Sequence, residues 1–388
     1  MRIAIDTTCV WNRRGFGRFT VELLRALVAR HPEHDYVLLV DREPARGELP
    51  EACAIVNASP ERTVNRSAVA KGRRSLADML RFTRAARRTK PDVLFFPAVY
   101  SFFPVAPGTR TVVCFHDTIA EDHPELVFPD RAGRWAWKAK MRLALWQATR
   151  VMTISEASRR SLATLYGLSE ERIDLVTEGP SPSFLAPSSP EAVRATLERL
   201  GLPGDRPLLL HVGGMSPHKN LTTLLEAAAI LLRRHAAYLV LVGDPEADGF
   251  HANAAELRAR IASDERLRDN VRFTGFVSDA DLVHLYRGAL ALVFPSLAEG
   301  FGLPAVEAMA CGLPVLASRA GSLPEVVGDA GLLFDPRDAR GMAESIERIL
   351  VDDGLRRELS RRARERVRLF TWERAADLAL ASFRRAIG

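Results

Sequence analysis

Two glutamates eight residues apart lie where a phosphorylated ligand could bind. Glu299 follows the apolar run ALALVFPS, in the loop EGFG, and Glu307 falls in the first turns of a helix predicted to begin at Pro304. Backbone N–H groups of a glycine-rich loop at a helix N-terminus bind phosphate, and open parallel sheets bind ligands at the carboxyl ends of strands. The alternative for Glu307 is a purely structural role, in which its carboxylate stabilises the helix dipole. Glu299 has no evident structural role.

A lysine after a second glycine-rich turn supplies a positive charge. The segment LLLHVGGMSPHKN reads as a strand, a turn at Gly213 and Gly214, Lys219, and then Asn220 as the N-cap of a helix. Glycines let a ligand approach the backbone closely, and a lysine can neutralise a phosphate. The order outlines a diphosphate cradle, although it departs from the G-x-x-x-x-G-K-[ST] pattern.

Two residues after a further predicted strand could meet a nucleotide base. Val277 and Ser278 follow NVRFTGF, where a base could stack or bond to the main chain. The next residues, Asp279 and Asp281, spell D-x-D, which binds metal in some other enzymes. Beside Ser278 this pattern is typical of a capped first helical turn, so we expect no metal site there.

The N-terminal half carries two candidate segments. Gly15 and Gly17, in NRRGFGRF, allow a tight loop between the strand RIAID and a helix. His116 and Asp117 directly follow the predicted strand TVVCF. A histidine there could bond a sugar hydroxyl or move a proton. The alternative for His116 is a hydrogen bond to backbone that caps the strand.

Short apolar runs alternate with amphipathic helical segments in both halves, which predicts parallel sheets covered by helices. The break GPSPSFLAPSSP (179–190) is the best linker candidate. We expect an α/β protein of two Rossmann-like domains, residues 1–180 and 187–370, because 388 residues exceed one ordinary core. The segment 371–388 should form an amphipathic helix, N-capped by Thr371, that packs back on the first domain. The predicted strands are 2–6, 36–40, 92–96, 111–115, 150–155, 207–214, 237–243, 270–276, 289–296 and 313–318.

Composition argues against several other classes. Apolar residues make up 47% of the chain, as in globular proteins, and the net charge is +6. Four cysteines, distant in sequence and without a C-x-x-C, favour neither a disulfide framework nor a zinc site. The sequence has no apolar stretch of about 18 residues, and the start MRIAIDTTCVW reads as a strand rather than a signal peptide. We expect a cytoplasmic protein.

Two basic segments leave a surface role open. Ten Lys and Arg but one acid, Asp78, lie between Arg62 and Lys90, and DRAGRWAWKAKMRLALWQATR mixes three tryptophans with cations. Each could be the solvated face of a helix, or could touch an anionic membrane as a peripheral protein on its inner face. Cations with interleaved aromatics also occur in nucleic-acid binding. No nucleic-acid motif is present, so we expect no such partner.

These motifs, in this order, resemble one enzyme family. PSLAEGFGLPAVEAMACGLPV closely resembles the signature of retaining glycosyltransferases of the GT-B fold, especially the fourth family (group 1), and VGGMSPHKN resembles its donor-phosphate loop. TISEASRRSLATLYGLSEERIDLV resembles the segment that closes its N-terminal domain, and HDTIAEDHPE and GFGR resemble mannosyltransferase-like members. The resemblance runs from about residue 1 to the terminal helix. It implies two Rossmann-like domains facing a cleft, with the donor held mainly by the C-terminal one.

The resemblance also implies a substrate and a role for each candidate. A hexose would pass, with retained configuration, from a nucleoside diphosphate sugar to a hydroxyl of a glycan or lipid-linked acceptor in polysaccharide or glycolipid synthesis. GDP-mannose is favoured, and UDP- or dTDP-linked donors stay open. Glu299 and His116 would bond the sugar, Lys219 the diphosphate and Glu307 the ribose, with no cofactor or metal required. The remaining donor contacts implied are Gly15, Gly17, Gly213, Gly214, Val277, Ser278, Phe301, Gly302 and Leu303.

Departures from the family pattern affect the donor details. Many members carry an arginine where Gly214 stands, or directly before the lysine, where this chain has His218. A protonated His218, or Arg18, would then supply the missing charge. Glu178 replaces a usual asparagine. The alternatives are a sugar-nucleotide epimerase or phosphorylase on the same fold, and a non-catalytic sugar-nucleotide-binding subunit.

Overall fold

A computed structural model describes residues 1–12, 15–59, 75–128, 130–243 and 254–388. They form two compact units, Met1–Glu178 with Thr371–Gly388, and Gly179–Phe370. Each unit contains one sheet whose strand pairs are parallel. Among the described residues no helix combines the length and apolarity that crossing a bilayer requires.

The first unit is built on a sheet of order β3-β2-β1-β4-β5-β6-β7. Its strands are β1 (Arg2–Asp6), β2 (Asp35–Val40), β3 (Ala54–Asn57), β4 (Val93–Phe96), β5 (Thr111–Cys114), β6 (Arg150–Thr153) and β7 (Ile173–Leu175). Its described helices before residue 179 are α1 (Gly15–Arg30), α2 (Leu76–Thr89), α3 (Ile119–Asp122), α4 (Pro124–Val127), α5 (Arg131–Gln147) and α6 (Glu156–Tyr166).

The second unit is built on a sheet of order β10-β9-β8-β11-β12-β13. Its strands are β8 (Leu208–Val212), β9 (Tyr238–Val242), β10 (Val271–Gly275), β11 (Ala291–Phe294), β12 (Val315–Ser318) and β13 (Gly331–Phe334). Its described helices are α7 (Pro182–Leu185), α8 (Pro190–Arg199), α9 (Leu221–Leu231), α10 (Ala254–Ser263), α11 (Glu265–Asn270), α12 (Asp279–Gly288), α13 (Leu303–Ala310), α14 (Leu323–Val327), α15 (Ala339–Val351) and α16 (Asp353–Arg366). The final helix α17 (Trp372–Ile387) belongs to the first unit.

Both sheets have the strand order of doubly wound folds, which places a ligand crevice in each. The order reverses between β1 and β4 in the first unit, and between β8 and β11 in the second. The loops after these neighbouring strands run in opposite directions, so a crevice opens beyond their carboxyl ends. The segments after β8 and β11 are those that carry Lys219 and Glu299.

The predicted strands are present, and the structure adds three that the sequence analysis missed. β3, β7 and β13 all lie at sheet edges, and none is a fully buried run of the kind that pattern analysis finds. The predicted linker 179–190 begins where the structure divides the two units, between Glu178 and Gly179. It contains α7, where Phe184 is buried against Tyr286 with ring centroids 5.9 Å apart.

The terminal helix is joined to the first sheet by a buried carboxylate. Thr371 caps α17 by accepting from the N–H of Arg374, as the sequence predicted. Asp174 on β7 accepts hydrogen bonds from Arg150 on β6 and from Ser382 and Arg385 on α17. Burial alone would raise the pKa of the Asp174 carboxyl, but the bonds from Arg150 and Ser382 and the two arginine charges hold it below its usual value.

We expect Asp174→Asn to lower the free energy of unfolding by about 3 kcal/mol, because it leaves buried donors and two cations without their anion. Asp377→Asn, on the same helix, removes an exposed pair with Arg30 and should cost less than about 1 kcal/mol. Urea unfolding followed by circular dichroism compares the two. Equal losses in both variants would contradict a structural role specific to Asp174.

Candidate active site

The structure brings Lys219 and Glu299 together at the point where the second sheet reverses its order. Lys219 ends a single helical turn, Pro217–Lys219, after β8, and Glu299 lies in the loop after β11. The Nζ of Lys219 donates to Oε1 of Glu299 at 2.5 Å, and the Oγ of Ser296 donates to the same oxygen at 2.7 Å. Oε2 of Glu299 has no hydrogen-bond partner among the described residues, so it can accept from a ligand.

Three consecutive residues fix the lysine loop to the glutamate loop. The carbonyl of His218 accepts from the N–H of Leu297 at 2.8 Å, beside the Lys219–Glu299 pair. Asn220 donates from Nδ2 to the carbonyls of Pro295, at 3.0 Å, and Pro336. Asn220 is the N-cap residue of α9, as predicted, but its side chain makes no capping hydrogen bond and instead joins the segments at Pro295 and Pro336.

The Glu299 carboxylate is largely buried, with its side chain 10% exposed, yet it is ionised. Burial by itself would raise its pKa, but the charges of Lys219 and His218 and the hydrogen bonds from Lys219 and Ser296 hold the pKa below its usual value. At neutral pH the pair is therefore a carboxylate beside an ammonium group. Such a pair can offer an acceptor to a sugar hydroxyl and a cation to a phosphate.

A turn after β12 supports the Glu299 loop, and sequence reasoning missed it. Ser322 donates from its N–H and its Oγ to the carbonyl of Glu299, and from Oγ to that of Phe301. Gly321 has φ +55°, and a Cβ there would lie 2.5 Å from the carbonyl oxygen of Glu299. The pattern Ala-Gly-Ser-Leu-Pro (320–324) marks a turn, but nothing in it indicates which loop the turn contacts.

A buried histidine beneath the glycine turn was also missed. His211 on β8 is fully buried, and its Nδ1 donates to the carbonyl of Val293 at 3.1 Å. Its Nε2 has no partner among the described residues and lies 3.4 Å from where a Cβ on Gly213 would be. Burial lowers the pKa of His211 to about 4, so the ring is neutral at pH 7. A Cβ on Gly214 would meet only Ser216, at 3.9 Å, which leaves open space beside the turn.

The start of α13 joins the glutamate loop to the second glutamate. Gly302 is its N-cap at φ +99°, and no side chain caps that end. The helix begins at Leu303, so Pro304 takes its second rather than its first position. Phe301 packs edge-on against Phe370 at 5.6 Å. Glu307 is buried in the second turn and accepts from the Tyr286 hydroxyl at 3.2 Å.

The candidate base-binding residues follow β10 in the same sheet. Val277 is buried, and Ser278 is the N-cap of α12, where its Oγ accepts from the N–H of Asp281. Helix capping was the predicted role of this segment, and Asp281 also pairs with Arg199. No hydrogen bond or ion pair that the structure describes joins Val277 or Ser278 to Lys219 or Glu299. Among the described residues no three His, Cys, Asp or Glu side chains form a cluster that could hold a metal ion.

In the first unit, His116 packs under the start of α1. Its ring meets Phe19 edge-on at 4.8 Å and Phe16 at 6.5 Å. Nε2 donates to the carbonyl of Pro97, after β4, at 2.8 Å, while Nδ1 lies 3.9 Å from Oε1 of Glu178. The bond to Pro97 is the backbone contact that was the alternative to sugar binding. Burial lowers the pKa of His116 to about 4, so it is neutral at pH 7.

The two N-terminal glycines lie in a helix, not in a loop as predicted. α1 starts at Gly15, and Gly17 is in its first turn. A Cβ on Gly17 would lie 1.8 Å from the carbonyl oxygen of Asn12 and 2.9 Å from that of Cys9. Gly17 is therefore required for the backbone of Cys9 and Asn12 to lie against the helix. A Cβ on Gly15 would meet nothing within 4 Å.

These two glycines give a matched pair of variants. Gly17→Ala should lower the free energy of unfolding by about 3 kcal/mol, because backbone must move to make room. Gly15→Ala should change the free energy of unfolding by less than about 1 kcal/mol. A loss of donor affinity in this variant would therefore indicate that the donor lies close to Gly15. Urea unfolding and donor titration measure the two effects. A stable Gly17→Ala variant would contradict the packing argument.

Comparisons with known proteins agree with this architecture. The model of "Glycosyltransferase Family 4" matches residues 13–183, and that of "Glycosyl transferases group 1" matches residues 193–366. O-antigen chain mannosyltransferase B of Escherichia coli is 29% identical over 276 residues, which are 71% of this chain and 70% of that protein. D-inositol 3-phosphate glycosyltransferase of Frankia alni is 37% identical over 247 residues, 62% of this chain and 60% of that protein.

A solved structure extends the similarity to the whole fold. Anabaena HepE, solved in complex with UDP and glucose, has a TM-score of 0.74 at 19% identity, over 98% of both chains. At that identity the likeness concerns the fold alone. The two family models match nearly the whole chain between them, one in each unit. The chain belongs to the group 1 glycosyl transferases, glycosyltransferase family 4, and has the GT-B fold.

Proposed function

We propose that the protein transfers a hexose, mannose in the favoured case, from a nucleoside diphosphate sugar to a hydroxyl of a glycan or lipid-linked acceptor, with retained configuration. The observation that carries the proposal is the partly buried Lys219–Glu299 pair between the loops after β8 and β11. It places a cation and an ionised acceptor together where doubly wound sheets bind ligands.

Each part of the site suits one part of such a donor. Lys219, the Gly213–Gly214 turn and the uncapped start of α13 would stabilise the charge that develops on the leaving diphosphate. Oε2 of Glu299 would accept from a hydroxyl of the sugar. Glu307 would bond the ribose, with Tyr286 fixing its carboxylate. His116, which is neutral, would use Nδ1 toward the sugar, since Nε2 is bonded to Pro97.

The step we propose needs no protein nucleophile. The bond from the anomeric carbon to the phosphate oxygen breaks, and the acceptor oxygen bonds to that carbon on the same face. The acceptor proton passes to the departing phosphate. Glu299 is poorly suited to attack the sugar, because its ion pair with Lys219 lowers the basicity of the whole carboxylate. Its expected role is to orient the ring.

The relatives support the sugar class. One is a mannosyltransferase by name, and another is an inositol 3-phosphate glycosyltransferase, so both a glycan and a small phosphorylated alcohol are reasonable acceptor classes. GDP-mannose is our first donor, with UDP- and dTDP-linked sugars as alternatives.

Thermal stabilisation by nucleotides tests the proposal. We expect one of GDP, UDP, dTDP and ADP to raise the unfolding midpoint, since a ligand at a hundredfold excess over its dissociation constant adds about 2.7 kcal/mol of stability. Glu307→Ala should abolish the shift, whereas Glu347→Ala, on the outer helix α15, should keep it. No shift with any nucleotide, or a shift that Glu307→Ala leaves intact, would contradict the proposed donor site.

Product analysis separates the alternatives once a donor is known. Epimerised nucleotide sugar formed without an acceptor would identify an epimerase, and sugar phosphate formed with inorganic phosphate would identify a phosphorylase. Donor binding without any turnover on a panel of glycan, lipid-linked and inositol phosphate acceptors would favour the non-catalytic subunit.

A further inference from the structure

The exposed apolar side chains of the first unit are concentrated on two helices. Among its described residues seven large apolar side chains are exposed, and five of them lie on α2 and α5. Trp146 is 78% exposed, Trp135 69% and Leu76 79%, and the other two are Leu80 and Leu143. A tryptophan exposed to this degree loses the apolar contacts that its size could supply, so two on one helix need an explanation.

Both helices pack on the same core. Phe82, Ala85 and Ala86 of α2 share one buried cluster with Met141 and Ala144 of α5, so the two helices cover the same face of the first sheet. Their exposed sides therefore belong to the same side of the unit. The inner face of α5 already contributes Met141 and Ala144 to the core. The exposed tryptophans lie outside that face and are not core residues.

The charge on this surface has one sign. α5 contains five cations and no acid in 17 residues. On α2 the one acid, Asp78, is buried and paired with Arg81, so the exposed charges of that helix are Arg84, Arg87 and Arg88. The basic residues between 60 and 74 lie outside the described residues and are not needed for this count. The surface is suited to an extended anionic partner.

The exposed tryptophans and the cations of α5 lie on the same face of the helix. Arg131, Trp135, Lys138, Arg142 and Trp146 follow one another at intervals of three or four residues and are all exposed, so they share one face of the helix. The Lys138 ammonium lies 5.8 Å from the Trp135 ring centroid. Tryptophan with Lys and Arg on an outward helical face is the composition of a helix lying in a membrane interface, where the indole sits at headgroup level and the cations meet lipid phosphate.

We propose that the α2–α5 surface, defined by Leu76, Leu80, Trp135, Lys138, Arg142 and Trp146, docks the protein on an anionic lipid bilayer. Nucleic acid is a less suitable occupant. Base stacking would be expected to use aromatic side chains within a groove, whereas these tryptophans are on the convex side of a helix. The surface would place the enzyme at the boundary where lipid-linked acceptors are found, but the proposal stands on the surface itself and does not depend on the transferase assignment.

Vesicle co-sedimentation of the full chain tests the proposal. We expect binding to phosphatidylcholine vesicles that contain phosphatidylglycerol, at least about tenfold weaker binding to phosphatidylcholine alone, and loss of binding in high salt. The double variant Trp135→Ala/Trp146→Ala should weaken binding about tenfold, and Lys138→Glu/Arg142→Glu should abolish it. Brominated lipid should quench the wild-type tryptophan fluorescence but not that of Trp135→Phe/Trp146→Phe.

Matched variants on the second unit serve as controls. Val351→Ala/Leu369→Ala removes two exposed apolar side chains, and Arg357→Glu reverses an exposed charge on α16. Both should bind vesicles as the wild type does, and thermal unfolding should show every variant folded. Absence of vesicle binding, equal binding by the tryptophan variant, or binding of an RNA oligonucleotide instead of vesicles would overturn the proposal.

Discussion

Glu299→Ala is expected to lower kcat by about 10²–10³-fold, the range measured when one electrostatic contact to a transition state is removed. The loss should fall on kcat more than on KM, because a ring that is bound but wrongly oriented still occupies the site. The measurement is release of nucleoside diphosphate from the donor that the thermal-shift experiment identifies. Alanine leaves the Lys219 ammonium without its carboxylate partner, so the free energy of unfolding should fall. Circular dichroism and thermal unfolding must therefore show the variant folded at the assay temperature before its kcat is compared.

Two further variants make this result specific. Glu299→Gln keeps an oxygen acceptor near the position of the carboxylate and should recover part of the activity. Glu347→Ala removes a partly exposed glutamate paired with His235 and should transfer normally. Near-normal transfer by Glu299→Ala would refute the orienting role of Glu299.

Lys219→Met is expected to invert the effect of Glu299 on stability. In the wild type the folded-state pKa of Glu299 is below 4.5, so its contribution to stability is complete above about pH 4.5 and is lost as pH falls through the folded-state pKa. Without Lys219, only the His218 charge and the Ser296 hydrogen bond counteract the effect of burial on the Glu299 pKa, so that pKa should rise above 4.5. Stability should then fall as pH rises from about 4.5, with a loss of about 3 kcal/mol at pH 7.

A double variant separates the pair from the site around it. Lys219→Met/Glu299→Gln removes both charges and should recover much of the stability that Lys219→Met loses, because no uncompensated charge is left buried. Urea unfolding at pH 4 to 8 measures all four proteins. If Lys219→Met shows the wild-type pH profile, the electrostatic account of Glu299 is wrong.

The central part of each sheet was predictable because it is buried on both faces. Runs such as YVLLV and VLFF are apolar throughout, and this pattern favours a strand of a parallel sheet. β3, β7 and β13 were not predicted because an edge strand is partly exposed to solvent and often short, as with the three residues of β7. The start of α1 escaped for a different reason. Glycine suggests a loop from local conformational freedom, but Gly17 is needed for close packing against Asn12.

The site was predictable by residue type and less so by contact. Lys219 and Glu299 are 80 residues apart, and only the strand order places their loops side by side. The sequence suggested that both act on a ligand, but not that each is the other's partner before the ligand arrives. Asn220 illustrates the limit, since its type indicates a helix cap while its side chain bonds two carbonyls far along the chain.

The placement of α17 in the first unit has a consequence for synthesis of the chain. Phe383 of α17 packs on Phe95 of β4, and Ser382 and Arg385 of α17 donate to Asp174 of β7. The whole of Gly179–Phe370 is translated between these partners, which takes on the order of 10–40 s at common elongation rates. During that interval the first unit on the ribosome lacks α17. One apolar face of its sheet is uncovered, and the Asp174 carboxylate lacks the hydrogen bonds from Ser382 and Arg385. The second unit, which is continuous in sequence, can complete its fold first, and the first unit is the part of the nascent chain that would most benefit from a chaperone.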